Sequence, residues 1–200
     1  MTLLTVAITA SVLSSEVIPS WFPDRPRPRD LLFELLPYVD IASYLTLLAL
    51  VIGFSLFLGY GLRHERSRFP EFIVVFALMY LTRAILTVLT PLASAQGDGP
   101  FVFTFQQYGM FPSGHAAAAL VLMLLTSRER AAWSRRVQGI LVVLVCAGLL
   151  LAHGHYSIDI AGGLLLGYFV VQVWEHGSLF NPLKRLMGII QQRGAVSANS

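Results

Sequence analysis

The sequence predicts an all-α polytopic membrane protein: a single domain over residues 1–200 built as a bundle of about six transmembrane helices. Three observations predict this. Of the 200 residues, 56% are hydrophobic and only 12% charged, against roughly 25% charged in an average soluble domain. Apolar stretches long enough to cross a hydrocarbon core of roughly 30 Å recur along the chain. The 13 arginines and one lysine cluster in short loops between these stretches, a distribution that orients a membrane protein and offers no basic face for nucleic acid. The one cysteine, Cys146, lies inside an apolar run, so neither an internal disulfide framework nor a cysteine-rich zinc site is available.

The predicted spans lie near residues 3–20, 39–62, 69–92, 113–127, 136–153 and 158–175. The first is the weakest, diluted by Ser11, Ser14, Ser15 and Glu16. It lacks the basic start of a secretory signal peptide and is read as a retained helix. Between the first two spans, Pro23, Pro26 and Pro28 forbid a regular helix, and the Leu-Leu-Phe-Glu-Leu-Leu that follows (31–36) suits a short interfacial helix. The tail over 183–200 is polar and expected to be loosely ordered.

Arginine placement predicts the orientation. The loops RHERSR (63–68) and SRERAAWSRR (127–136) hold seven arginines, and Lys184 and Arg185 follow the last span, whereas 93–112 and 154–157 contain no lysine or arginine. Basic loops and the C-terminus are then cytoplasmic. The segments FPSGH (111–115) and HGHYSID (153–159) share the exoplasmic side. Arg25, Arg27 and Arg29 break the pattern: with six spans their loop is exoplasmic too, so either it has a task that outweighs the bias or the first segment does not cross.

Three constellations meet on that side. In FPSGHAAAAL, Ser113 is a natural N-cap and Gly114 lets a ligand approach first-turn N–H groups, an arrangement that favours an anion, with His115 beside it as proton donor or acceptor. A plain helix start reads equally well from these residues alone. In LLAHGHYSIDIAGGLLLGY, His155 and Asp159 are four apart and share a face if the helix begins near His155. A carboxylate beside an imidazole holds one tautomer and stabilises the charged ring, as a nucleophilic or general-base histidine needs. A capping aspartate beside a structural histidine is the alternative, and His153 and Tyr156 are candidate supporting residues. Gly163 and Gly167 form a small-xxx-small pattern of close helix packing. In YLTRAILTVLTPL, Arg83 lies inside a span, where a guanidinium faces the bundle interior or snorkels to the interface. Its fork suits a phosphoryl group.

Together these residues resemble the type 2 phosphatidic acid phosphatase superfamily, whose motifs include Pro-Ser-Gly-His, matched by Pro112–His115, and a later His-x-x-x-Asp, matched by His155 and Asp159. Within it the sequence is most similar to the sphingomyelin synthase-like branch. PRPRDLLFELLPY, MYLTRAILTVLTPL and LLAHGHYSIDI, the last carrying His155 and Asp159, are similar to segments of that branch, so that with Pro112–His115 four motifs occur in order over about residues 26–175. The superfamily's phosphatases usually carry an arginine six residues before the nucleophilic histidine, where this chain has Leu149, and their first Lys-and-Arg motif is reduced to Arg83. The branch departs in the same ways. Pro112 is phosphatase-like, and the loop 93–112 is short, so choline specificity does not carry over.

The resemblance implies an integral-membrane phosphoesterase or phosphotransferase with its active site at the exoplasmic helix ends. It implies His155 as nucleophile forming a phosphohistidine, Asp159 orienting it, His115 as acid and base, and Arg83, Ser113 and Gly114 holding the phosphoryl oxygens. Water as acceptor makes a lipid phosphatase or phospholipase C-like hydrolase; ceramide or diacylglycerol makes a headgroup transferase. No cofactor or metal is expected, since His153 and His155, two apart, do not share a helix face. A non-enzymatic lipid transporter or flippase is the competing class. Short loops and the absence of Asn-x-Ser/Thr sequons at Asn181 and Asn199 point to a bacterial inner membrane, with the site facing the periplasm.

Overall fold

The computed structural model describes residues 2–95, 110–127, 129, 131–185 and 188. Its elements run in the order α1 (Thr2–Trp21), α2 (Leu31–Leu35), α3 (Ala42–His64), a 3-10 turn (Arg66–Arg68), α4 (Phe69–Leu89), α5 (Gly114–Leu125), α6 (Ala132–Leu151) and α7 (Ser157–His176). Among the described residues there is no strand, so the all-α expectation holds. The expected loop over 93–112 and the polar tail fall largely outside the described residues.

Among the described residues, five helices are long and apolar enough to cross a membrane: α1, α3, the turn-plus-helix Arg66–Leu89, α6 and α7. The segment expected as a span over 113–127 is shorter: α5 has 12 residues, about 18 Å of helix against a hydrocarbon core of roughly 30 Å. Both ends have a local cause. Ser113 caps the start, its Oγ accepting from Ala116 N–H at 3.4 Å. At the other end Arg135 Nη1 donates to the carbonyls of Leu124 (2.9 Å) and Thr126 (2.8 Å), which occupies the last acceptors of the helix. A helix apolar on every side belongs in an interior, and α5 is the centre of the bundle. Ala116, Ala117 and Val121 are fully buried. One core joins Val75 and Met79 of α4, Val121 and Leu122 of α5, and Val171 and Trp174 of α7. A second joins Ala49 of α3, Ala116 of α5 and Val145 and Leu149 of α6.

Glycines set how closely these helices approach. A Cβ on Gly163 would run into the Ser113 carbonyl, and one on Gly167 would lie 2.9 Å from the Ala117 carbonyl, so the expected close packing of α7 is against α5. Outward faces such as Leu47, Val51, Ile85, Val143, Leu165 and Phe169 are exposed and apolar, as a lipid-facing surface requires.

One boundary moves. Residues 132–136 of the expected basic loop are helical, because α6 begins at Ala132 and turns Arg135 back onto α5. The proline stretch is non-helical as expected, and α2 follows it, started by Asp30, whose Oδ1 accepts from Leu32 N–H at 2.9 Å.

Candidate functional site

Alternating helix directions bring the starts of α3, α5 and α7 and the ends of α4 and α6 to one end of the bundle. His155 lies in the turn before α7, not within it, since the helix begins at Ser157. Its Nδ1 still faces Asp159 Oδ2 at 3.4 Å. The same oxygen accepts the Tyr156 N–H at 3.1 Å, so Asp159 is a capping residue and an imidazole partner at once. His155 is 7% exposed and Asp159 fully buried.

His115, on the first turn of α5, meets His155 ring to ring at 5.8 Å in an edge-on arrangement. The turn holding it is tied to α7 directly, because Ser113 N–H donates to the Asp159 carbonyl at 2.9 Å. Among the described residues, His115 Nδ1 and Asp159 Oδ1 are buried without a hydrogen-bond partner. Orphaned buried polar atoms are uncommon in folded proteins, and these two sit on either side of His155.

Arg83 faces the interior, 4% exposed, so the snorkelling alternative does not apply. Nε donates to the Pro112 carbonyl at 3.1 Å and Nη1 to Ser11 Oγ at 2.6 Å. One turn on, Thr87 Oγ1 donates to the Phe111 carbonyl at 3.1 Å. A Cβ on Gly114 would lie 3.0 Å from Arg83 Nε, so glycine there leaves the space that the guanidinium fills. A cavity of about 140 Å³ adjoins the group, lined by Leu50, Phe54, Tyr80, Arg83, Gly114 and His115 among others.

The supporting candidates divide. Tyr156 begins α7 and reaches the Ser94 carbonyl with its hydroxyl at 3.4 Å; burial, and the charge of Asp159 after it, raise its phenol above the usual value. His153 adopts a left-handed φ of 48°, stacks on Phe33 at 4.2 Å and meets Tyr38 edge-on at 5.4 Å. It packs the α2 segment onto the site turn. Leu149, where the resembled phosphatases carry arginine, is 3% exposed in the α3–α5–α6 core.

Two residues without an expected role also belong here. Asp30 Oδ2 accepts the Ser157 N–H at 2.5 Å, so the proline loop clasps the start of α7. Burial pushes its carboxyl upward, but hydrogen bonds from Ser157, Leu32 and Phe33 outweigh that and hold it below the ordinary carboxylate value. Ser11 reaches Arg83 from α1. The available signal was spacing: Ser11, Ser14 and Ser15 recur at helical intervals on one face, and all three are buried.

Fold and site define an integral membrane protein with a buried polar centre at one end of its bundle. The family model of AtPDCT1/2 matches residues 44–175, about two-thirds of the chain. The chain belongs to this family, a sphingomyelin synthase-like family of enzymes, the phosphatidylcholine:diacylglycerol cholinephosphotransferases. The comparison with curated proteins gives no match.

Proposed function

We propose that the protein moves a phosphorylated headgroup from a phospholipid to diacylglycerol through a phosphohistidine on His155. The observation that carries this reading is the buried His155–Asp159 pair facing the first turn of α5. With Nδ1 turned to Asp159, Nε2 is the nitrogen left to attack. It forms a bond to phosphorus as the phosphorus–oxygen bond to diacylglycerol breaks, and protonated His115 gives the departing oxygen its proton. Asp159 stabilises the charged imidazole, while Arg83 and the Gly114 N–H hold the phosphoryl oxygens as charge builds; the Ser113 N–H expected to join them is taken by the Asp159 carbonyl and fixes the turn instead. In the second half His115 takes the proton of an incoming diacylglycerol hydroxyl, whose oxygen attacks phosphorus and releases His155. None of these steps needs a metal. The site opens to the exoplasmic face, the C-terminus is cytoplasmic, and the membrane is a bacterial inner membrane; the basic residues at the opposite end of the bundle support this orientation.

The test is product analysis with purified protein in mixed micelles containing phosphatidylcholine, labelled diacylglycerol, ceramide and EDTA. Labelled phosphatidylcholine should form, and His155→Ala should lower its formation by about 10³-fold or more. Histidine-dependent release of free phosphate or phosphocholine with no labelled lipid would make the protein a hydrolase. A labelled phosphosphingolipid would move the acceptor to ceramide. No reaction on any lipid would favour a transporter.

A further inference from the structure

We propose that Ser11 of α1, outside the matched segment 44–175, is a positioning residue: it fixes the Arg83 guanidinium for the phosphoryl group. This rests on the reading of Arg83 as a phosphoryl ligand. Arginine brings a long, rotamer-rich side chain, and its fork recognises phosphate only if the plane is set. Here two bonds from different parts of the chain set it: Ser11 Oγ accepts from Nη1 at 2.6 Å and the Pro112 carbonyl accepts from Nε at 3.1 Å. The space at Gly114 bounds its third side.

Ser11 sits on the buried face of α1 with Ala7, Ser14, Ser15 and Ile18. Leu3, Val6, Ile8 and Leu13 are exposed to the lipid side, and the helix packs along α4. Ser14 and Ser15 bond back within α1, their hydroxyls donating to the Ser11 carbonyl at 2.8 and 3.1 Å. Ser11 alone of the three turns its hydroxyl across the interface to a charge, and a buried guanidinium demands such partners.

Ser11→Ala should lower kcat for headgroup transfer roughly 10- to 100-fold, the scale of a misplaced catalytic group, while KM for the phospholipid stays within about twofold. Ser11→Thr, which keeps the hydroxyl, should restore most of the rate. Ser14→Ala and Ser15→Ala should remain within about twofold of wild type. In an Arg83→Lys background Ser11→Ala should add little, because the partner it positions is gone. If Ser11→Ala loses its fold, Ser11→Cys carries the test, since it keeps the size and bonds poorly. Ser11→Ala indistinguishable from Ser14→Ala would overturn the proposal, as would an equal further loss in the Arg83→Lys background. A wild-type protein that transfers no headgroup at all would instead overturn the reading of the site.

Discussion

At Asp159 one carboxylate oxygen accepts the Tyr156 N–H at 3.1 Å and faces His155 Nδ1 at 3.4 Å. The i,i+4 spacing makes this pair legible in the sequence, on the expectation of a helix that begins near His155. The pair forms without it, because capping from inside the first turn brings the Asp159 side chain back over the residues before the helix. Asp30 was not legible, since its partner Ser157 is 127 residues away and no local pattern encodes such a bond. Its carboxyl is held below the ordinary value, so it contributes stability above the unfolded carboxylate value, lost as pH falls through its folded pKa. Asp30→Asn keeps an acceptor for the Leu32 N–H but sets an amide NH2 opposite the Ser157 N–H, and should cost about 1–3 kcal/mol near pH 7, the scale of a hydrogen bond to a charged group. Thermal melts in detergent should show the gap between wild type and variant narrowing as pH falls below the ordinary carboxylate range; a gap that stays constant with pH would refute the role of the ionised carboxylate.

Among the elements, the apolar run after Pro112 marked α5 but not its length. Hydropathy registers that a segment is buried and cannot distinguish lipid from protein on its flanks. At 12 residues α5 is enclosed by its neighbours, and the alanines at 116–119 allow it. Small-xxx-small spacing on α7 was legible, while its partner carbonyls, Ser113 and Ala117, emerge only from packing. Because the Ser113 carbonyl lies where a Gly163 methyl would go, Gly163→Ala should destabilise the protein by about 1–3 kcal/mol and weaken the α5 cap. Gly59→Ala, where a methyl meets nothing within 4 Å, is the matched control. Equal melting temperatures for the two variants would contradict the tight α5–α7 contact.

Over the whole molecule, the loop of Arg25, Arg27 and Arg29, which conflicts with the charge bias, lies at the site end. Asp30 holds Ser157, and the Pro26 carbonyl accepts from Ala93 N–H at 3.2 Å. These contacts tie the loop to the site turn. Class, helical architecture and the gathering of His115, His155, Asp159 and Arg83 were legible because each depends on composition, spacing or a local motif. The parts contributed by α1 and the proline loop were not, because they arise only when distant segments meet. These parts converge on a covalent intermediate at His155. Single-turnover reaction with phosphatidylcholine labelled in its phosphate, quenched and digested for peptide mapping, tests it most directly. Acid-labile, alkali-stable label should appear on His155, be discharged by added diacylglycerol and be absent in His155→Ala. Headgroup transfer at full rate with no labelled protein, or with label on another residue, would contradict it.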